Sequence, residues 1–308
     1  MSDATFPPDA GGAGIAAPAP PSSPGLIAQI KARLETPEKG AATLSGTLRD
    51  YLLVTWAIPA ARLRPHVPQE LPLDVLPDAS GNLLAFIQVV CYYHDNLHWS
   101  PVKGSDGASF HQITYRALTR YKGKRGVYDL RSYLSTDDAR NALHVIAREV
   151  DFARFAVHIA GDPVRGVYDR YTIRAVGDRG QTNLDIKFPQ TSEAPVSGEG
   201  SDGESELQEK TAPVSTPFPR FEDMVHFLTQ REEQYFAAFL PKAALTLVPL
   251  RHEPLMPINA ELATARASVF TDTGLLTSEE LQRPIGVFVQ PAVTVTAYPP
   301  RLAKFPAA

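Results

Sequence analysis

The stretch Phe110–Val150, FHQITYRALTRYKGKRGVYDLRSYLSTDDARNALHVIAREV, decides the fold. Phe110 to Tyr121 and Gly126 to Leu134 are rich in β-branched and aromatic residues, the composition of strands. Between them Tyr121-Lys-Gly-Lys-Arg-Gly126 forms a compact turn, its length suited to a hairpin with glycine in the left-handed region. After Leu134 the period changes. Thr136 can cap a helix and Asp137 and Asp138 oppose its dipole, while Ala139, Leu143, Ile146, Ala147 and Val150 make one apolar stripe. The segment reads as strand, tight turn, strand, helix.

Working outward, Leu83–Tyr93, Phe155–Ile159, Val167–Val176 and Asn183–Phe188 repeat the strand composition between Gly, Pro and Asp turns, and antiparallel pairing follows. Ala243–Arg251, Ile258–Phe270 and Gly286–Tyr298 are three more strands; Pro284, Pro291 and Pro299 mark the last as an edge or bulged strand. A second helix is expected from Phe221 to Leu240, stopped by Pro241, with Met224, Phe227, Leu228, Tyr235 and Phe239 on its apolar face. Residues 1–25, dominated by Pro, Ala, Gly and Ser, are expected to be a disordered tail. Ser23 and Pro24 then cap a short amphipathic helix through Leu26, Ile30 and Leu34. Residues 190–217 carry six acidic side chains against Lys210 and read as a flexible acidic insertion in a single domain spanning 26–308.

Composition narrows the function. The 28 prolines favour short strands and turns over long helices. A net charge of −4 gives no reason to expect nucleic acid as a partner. Cys91, the single cysteine, excludes an internal disulfide and a cysteine-cluster zinc site. No apolar run approaches the roughly 18 residues of a membrane span, and no signal peptide is evident. The expectation is a cytoplasmic protein with a small-molecule ligand, no membrane association and no cofactor; a homo-oligomer is compatible with these counts.

Trp56–Leu73 (WAIPAARLRPHVPQELPL), with its short helix leading into a V-P-x-x-L turn, resembles acetoacetate decarboxylase and its relatives. Phe110–Val150 has that family's order of strand, glycine-containing hairpin, strand and capped helix, with the "R-E" pair at Arg148 and Glu149. Phe227–Phe239 (FLTQREEQYFAAF), followed by Arg251-His-Glu-Pro254, is similar to a subgroup of uncharacterised bacterial relatives. The resemblance covers most of residues 48–298. It implies an α+β, β-rich fold: a closed or nearly closed antiparallel β-barrel with flanking helices and an internal pocket. In the decarboxylase a lysine after the "R-E" pair forms a Schiff base with a keto acid. Here Arg154 is the nearest match, and a guanidinium cannot serve as the free amine. The family glutamate falls on Gln112 and the family arginine at about Ala57. Schiff-base decarboxylation is therefore not expected. Two readings stay open: a barrel that binds a small organic acid, and a lyase or hydrolase acting on a keto or carboxylic acid through Arg116, His252 or a relocated lysine.

Alternation along a strand puts Gln112, Thr114 and Arg116 on one face. If Gln112 points inward, Arg116 does too, as a clamp for a carboxylate or as one half of a structural ion pair. Tyr128, Arg131 and Arg174 lie in neighbouring strands whose faces the pattern leaves open. His252 and Glu253, before Pro254 at a strand end, are candidates for acid–base work, or for a local turn contact. His94 and His98 have metal-ligand spacing for a helical turn, but without a third ligand no metal site is expected. Lys187 alternates with Leu184, Ile186 and Phe188 as a solvated residue would, and Cys91 sits in an apolar run as core.

Overall fold

The structure, a computed structural model, describes residues 43–100, 107–144, 147–189, 217–238, 245–303 and 305. The expected tail, the helix after Pro24 and nearly all of the acidic insertion lie outside them. Strands dominate. Along the chain come β1 (Thr43–Pro59), β2 (Val75–Pro77), β3 (Leu83–Ser100), β4 (Ala108–Tyr121), β5 (Lys124–Leu134), β6 (Val150–Asp162) and β7 (Val167–Gly177). They are followed by β8 (Gly180–Lys187), β9 (Glu233–Ala237), β10 (Leu245–His252), β11 (Ile258–Asn259), β12 (Glu261–Ala267), β13 (Gly286–Ala297) and β14 (Arg301–Leu302). Among the described residues four α-helices interrupt them: α1 (Ala60–Leu63), α2 (Asp137–His144), α3 (Phe221–Thr229) and α4 (Ser268–Asp272). Among the described residues no helix is long and apolar enough to cross a membrane.

The β4–β5 hairpin forms as its sequence dictates. Lys122 and Gly123 take positive φ values of 50° and 77°, a two-residue turn that brings Tyr121 opposite Lys124. Thr136 caps α2, its Oγ1 accepting from the Ala139 amide at 3.3 Å. From this hairpin the sheet extends through β3 to β1, β13 and β10, all antiparallel. β9 then bonds β10 on one side and β5 on the other, and the ring closes. The β5–β9 contact, Gly126↔Glu233 to Tyr128↔Tyr235, is parallel, so the barrel is closed by a mixed rather than a strictly antiparallel sheet.

Closure overturns the expected second helix. α3 stops at Thr229, and Glu233–Ala237 is a strand instead. The stretch Gln230-Arg-Glu-Glu-Gln-Tyr-Phe has helical propensity but sits where two strand edges lack a partner, and ladder hydrogen bonds outweigh a local preference of a few tenths of a kcal/mol per residue. The expected Ile258–Phe270 strand is likewise divided into β11, β12 and α4.

Successive residues of the long strands serve two cores. Leu52, Val54, Trp56, Ile87, Val89 and Ile113 point out of the ring and pack under a second sheet, β6–β7–β8–β12, against Tyr171, Ile173 and Leu184. β6 enters this sheet from a short parallel contact with the end of β5. Leu53, Phe86, Val90, Leu118 and Val127 point inward, where Met224, Phe227 and Leu228 of α3 close one end of the barrel. Ala139 and Leu143 of α2 pack with Phe110, Leu134, Phe236 and Val248 at the other. Between the two apolar clusters lies a polar belt.

Candidate ligand-binding site

The inward face of β4 carries Phe110, Gln112, Thr114, Arg116 and Leu118 in succession, so one strand runs from apolar through polar to apolar. Around its middle a cavity of about 160 Å³ opens inside the barrel, lined among others by Tyr51, Tyr92, Gln112, Arg116, Arg231, Gln234 and His252.

Arg116 is buried, and its position is fixed by neighbours that are fixed in turn. Gln88 donates from Nε2 to Thr55 Oγ1 and to the Leu228 carbonyl, both at 3.0 Å. That orients Gln88 Oε1 to accept from Arg116 Nε at 2.8 Å, while Tyr51 Oη accepts from Nη2 at 3.0 Å. Tyr51 is itself held by stacking on Tyr92, with ring centroids 5.5 Å apart. Two of the five guanidinium donors are thus used. Among the described residues no protein acceptor meets Nη1 and no carboxylate lies within ion-pair distance.

The counter-charge opposite Arg116 in the β4–β5 ladder is Asp129. Its Oδ2 accepts from Gln234 Nε2 at 2.8 Å and from Ser132 Oγ at 3.4 Å; its Oδ1 is buried with no partner. Burial pushes the carboxyl up to about 7, opposed by the Arg116 charge and the two hydrogen bonds. A chain of hydrogen bonds runs from this carboxyl back along the belt. Ser132 meets Thr114 at 3.0 Å, Gln112 Nε2 donates to Thr114 Oγ1 at 2.9 Å, and Gln112 Oε1 accepts from His94 Nε2 at 3.0 Å. His94 therefore carries its proton on Nε2, and burial lowers its pKa to about 4, so it is neutral at pH 7.

On the far wall, His252 donates from Nδ1 to the Glu253 carbonyl at 2.7 Å and also meets the Arg231 backbone; burial lowers its pKa, opposed by these two backbone contacts. Arg231 is committed elsewhere. It pairs with Asp74 at 2.7 Å, donates to the Phe227 carbonyl and lies over the Phe227 ring; Arg120 also bonds Asp74, at 2.9 Å.

Of the residues singled out from sequence, Gln112, Arg116 and His252 line the cavity, and Thr114 stands behind Gln112 in the belt. Tyr128 and Arg174 do not join them. Tyr128 faces the outer core, because it pairs with outward-facing Ala117, and Arg174 is exposed on β7. Arg131 is tied to Asp151 at 2.7 Å and Glu149 at 3.1 Å. His94 and His98 lie on a bulged strand and not on a helical turn; His94 bonds Gln112 inside the barrel, and His98 bonds the Asn96 carbonyl outside it. Cys91 is buried in the outer core, its thiol pushed up by desolvation. The described lysines, Lys122, Lys124 and Lys187, are all exposed, as is Arg154, and none of the three lines the cavity. Sequence reasoning missed Tyr51, Gln88, Asp129 and Gln234, and weighed His94 only as a metal ligand. For His94 the signal was present, because its alternation partners Tyr92 and Val90 are inward residues of the same strand.

The model of the DUF2071 family, described as an uncharacterized conserved protein, matches residues 45–293. The chain belongs to the DUF2071 family. No curated protein matches its sequence. Its fold is that of acetoacetate decarboxylase-like proteins. An acetoacetate decarboxylase-like enzyme from Sphingomonas wittichii RW1 superposes with a TM-score of 0.51 at 10% identity, over 85% of this chain and 94% of that one. The enduracididine biosynthesis enzyme MppR, in complex with pyruvate, gives a TM-score of 0.51 at 12% identity, over 87% and 91%. The DUF2071 match spans the whole ring from β1 to the middle of β13, so the cavity is built almost entirely from the family's own segment.

Proposed function

We propose that the barrel binds a small organic acid, with the ligand carboxylate on Arg116 and Gln112, Gln234 and His252 beside it. One observation carries the reading: a buried guanidinium, held in place by Gln88 and Tyr51, whose Nη1 end has no protein acceptor among the described residues while it borders a cavity. A buried charge needs a counter-charge, and Asp129, half-neutralised near pH 7, supplies only part of one. Thr114 supports the site by fixing Gln112. That MppR, similar in fold, is described in complex with pyruvate agrees with this class of ligand. Titration calorimetry with small monocarboxylates tests the reading. Arg116→Gln, which keeps an amide but no charge, is expected to weaken binding about 10- to 100-fold, the range of a charged hydrogen-bonded contact. Equal affinity in the variant and the native protein removes Arg116 from the site.

The second reading, a lyase or hydrolase acting on a keto or carboxylic acid, draws on the His252 imidazole, which lines the same space. None of the described lysines lines the cavity, so among the described residues this reading draws on His252 and Arg116. Conversion of a bound acid, followed by NMR and abolished in His252→Gln, distinguishes catalysis from binding.

A further inference from the structure

The polar groups of the cavity are unevenly placed. Arg116, Arg231, Gln234 and Gln112 stand toward the end closed by α3, whereas beyond Phe110, toward α2, the lining is Leu97, Phe110, Leu143, Phe236, Leu250 and Ala297. Phe110 and Phe236 are buried, and Leu97, Leu143, Leu250 and Ala297, each partly exposed, form the rim of this end; Gln234, His252 and Val295 elsewhere in the lining are partly exposed too.

We propose that the ligand is a monocarboxylic acid with a purely apolar body, bound carboxylate first with its tail against Phe110, Phe236 and the rim leucines. This names the class of ligand for the site above and rests on the reading that Arg116 anchors a carboxylate. A keto, hydroxyl or second carboxyl group placed against Leu97, Phe110, Leu143, Phe236, Leu250 and Ala297 would lose its water and gain no partner from them, since none carries a side-chain donor or acceptor, and His94 beside Phe110 spends its Nε2 proton on Gln112. Each methylene added to the tail instead leaves water for an apolar wall. The short acids that satisfy Arg116 fill only the polar end of the space.

The test is a calorimetric series on the full chain: acetate, butyrate, hexanoate and octanoate, with adipate and 6-hydroxyhexanoate as length-matched polar controls. Affinity is expected to rise about three- to fourfold per added methylene. Hexanoate should bind about tenfold or more tighter than either control. Leu143→Gln, at the rim, should flatten the dependence on length. If butyrate, hexanoate and octanoate bind alike, or adipate and 6-hydroxyhexanoate match hexanoate, the apolar tail is refuted while the carboxylate site stands. If no acid of the series binds, or Arg116→Gln binds all of them as the native protein does, the anchoring role of Arg116 fails, and this proposal with it.

Discussion

Asp129 is where two effects of burial oppose each other at a single residue. Desolvation raises its carboxyl from an ordinary 3.8 to about 7, and Arg116 across the ladder limits the rise. Because the folded value lies above the unfolded one, the neutral carboxyl's contribution to stability is complete below about pH 4 and is lost as pH rises through about 7. Asp129→Asn keeps an acceptor for Gln234 and Ser132 but does not titrate. The native protein should therefore lose on the order of 2 kcal/mol relative to this variant between pH 5 and pH 8, roughly 5 °C in Tm. Parallel melting curves of both proteins would expose a mistaken assignment. An anion on Arg116 adds negative charge beside Asp129 and raises it further, so carboxylate affinity should fall as pH rises through about 7. At the next residue of the belt, Gln112→Glu places a carboxylate beside His94 Nε2. That imidazole should then titrate about 1–3 units above its present value near 4, as NMR of its ring protons would show. Gln112 and Arg116 were legible because alternation is local: once one points inward, so does the other. Arg174 and Tyr128 were not, since their faces depend on a separate sheet and on the register shift between Tyr115 and Arg116.

The β4–β5 hairpin and the capped α2 follow from short-range rules, and the sequence predicts both. β9 follows from none. Its residues satisfy a helix pattern, and only the unpaired edges of β5 and β10, residues more than a hundred positions apart in the first case, make it a strand. Two glycines of the same hairpin separate local from long-range demands. At Gly123 the chain needs a φ of 77° but a Cβ would meet nothing within 4 Å, so Gly123→Ala should cost only the left-handed backbone penalty, about 1–2 kcal/mol. At Gly126 the backbone is ordinary, yet a Cβ would sit 2.9 Å from the Glu233 carbonyl and 3.0 Å from the Tyr235 ring. Gly126→Ala should therefore destabilise more than Gly123→Ala, and amide exchange should quicken in Glu233–Ala237 alone among the ring strands. Uniform exchange across the ring would mean that β9 does not depend on this close approach.

At the scale of the whole molecule, one set of strands divides two interiors. β1, β3 and β4 give alternate residues to a dry outer core under β6–β7–β8–β12 and to a barrel whose middle is polar and hollow. Ligand chemistry belongs to the second interior, while the first, larger and continuous, supplies stability. No cavity-lining side chain belongs to the outer core apart from backbone shared through the strands. Ile173→Ala removes a fully buried side chain from the outer sheet and should cost about 2–4 kcal/mol, the range for a large-to-small change in a close-packed core. Under native conditions it should leave the affinity for butyrate within about twofold, because Arg116, Gln88 and Tyr51 keep their bonds inside the ring. Val293→Ala, which opens the cavity wall itself, should move stability and affinity together. Urea titrations paired with calorimetry read both quantities on each variant. A tenfold loss of affinity in Ile173→Ala would show that the outer sheet presses the ring into its binding shape, and that the strands transmit strain instead of partitioning it.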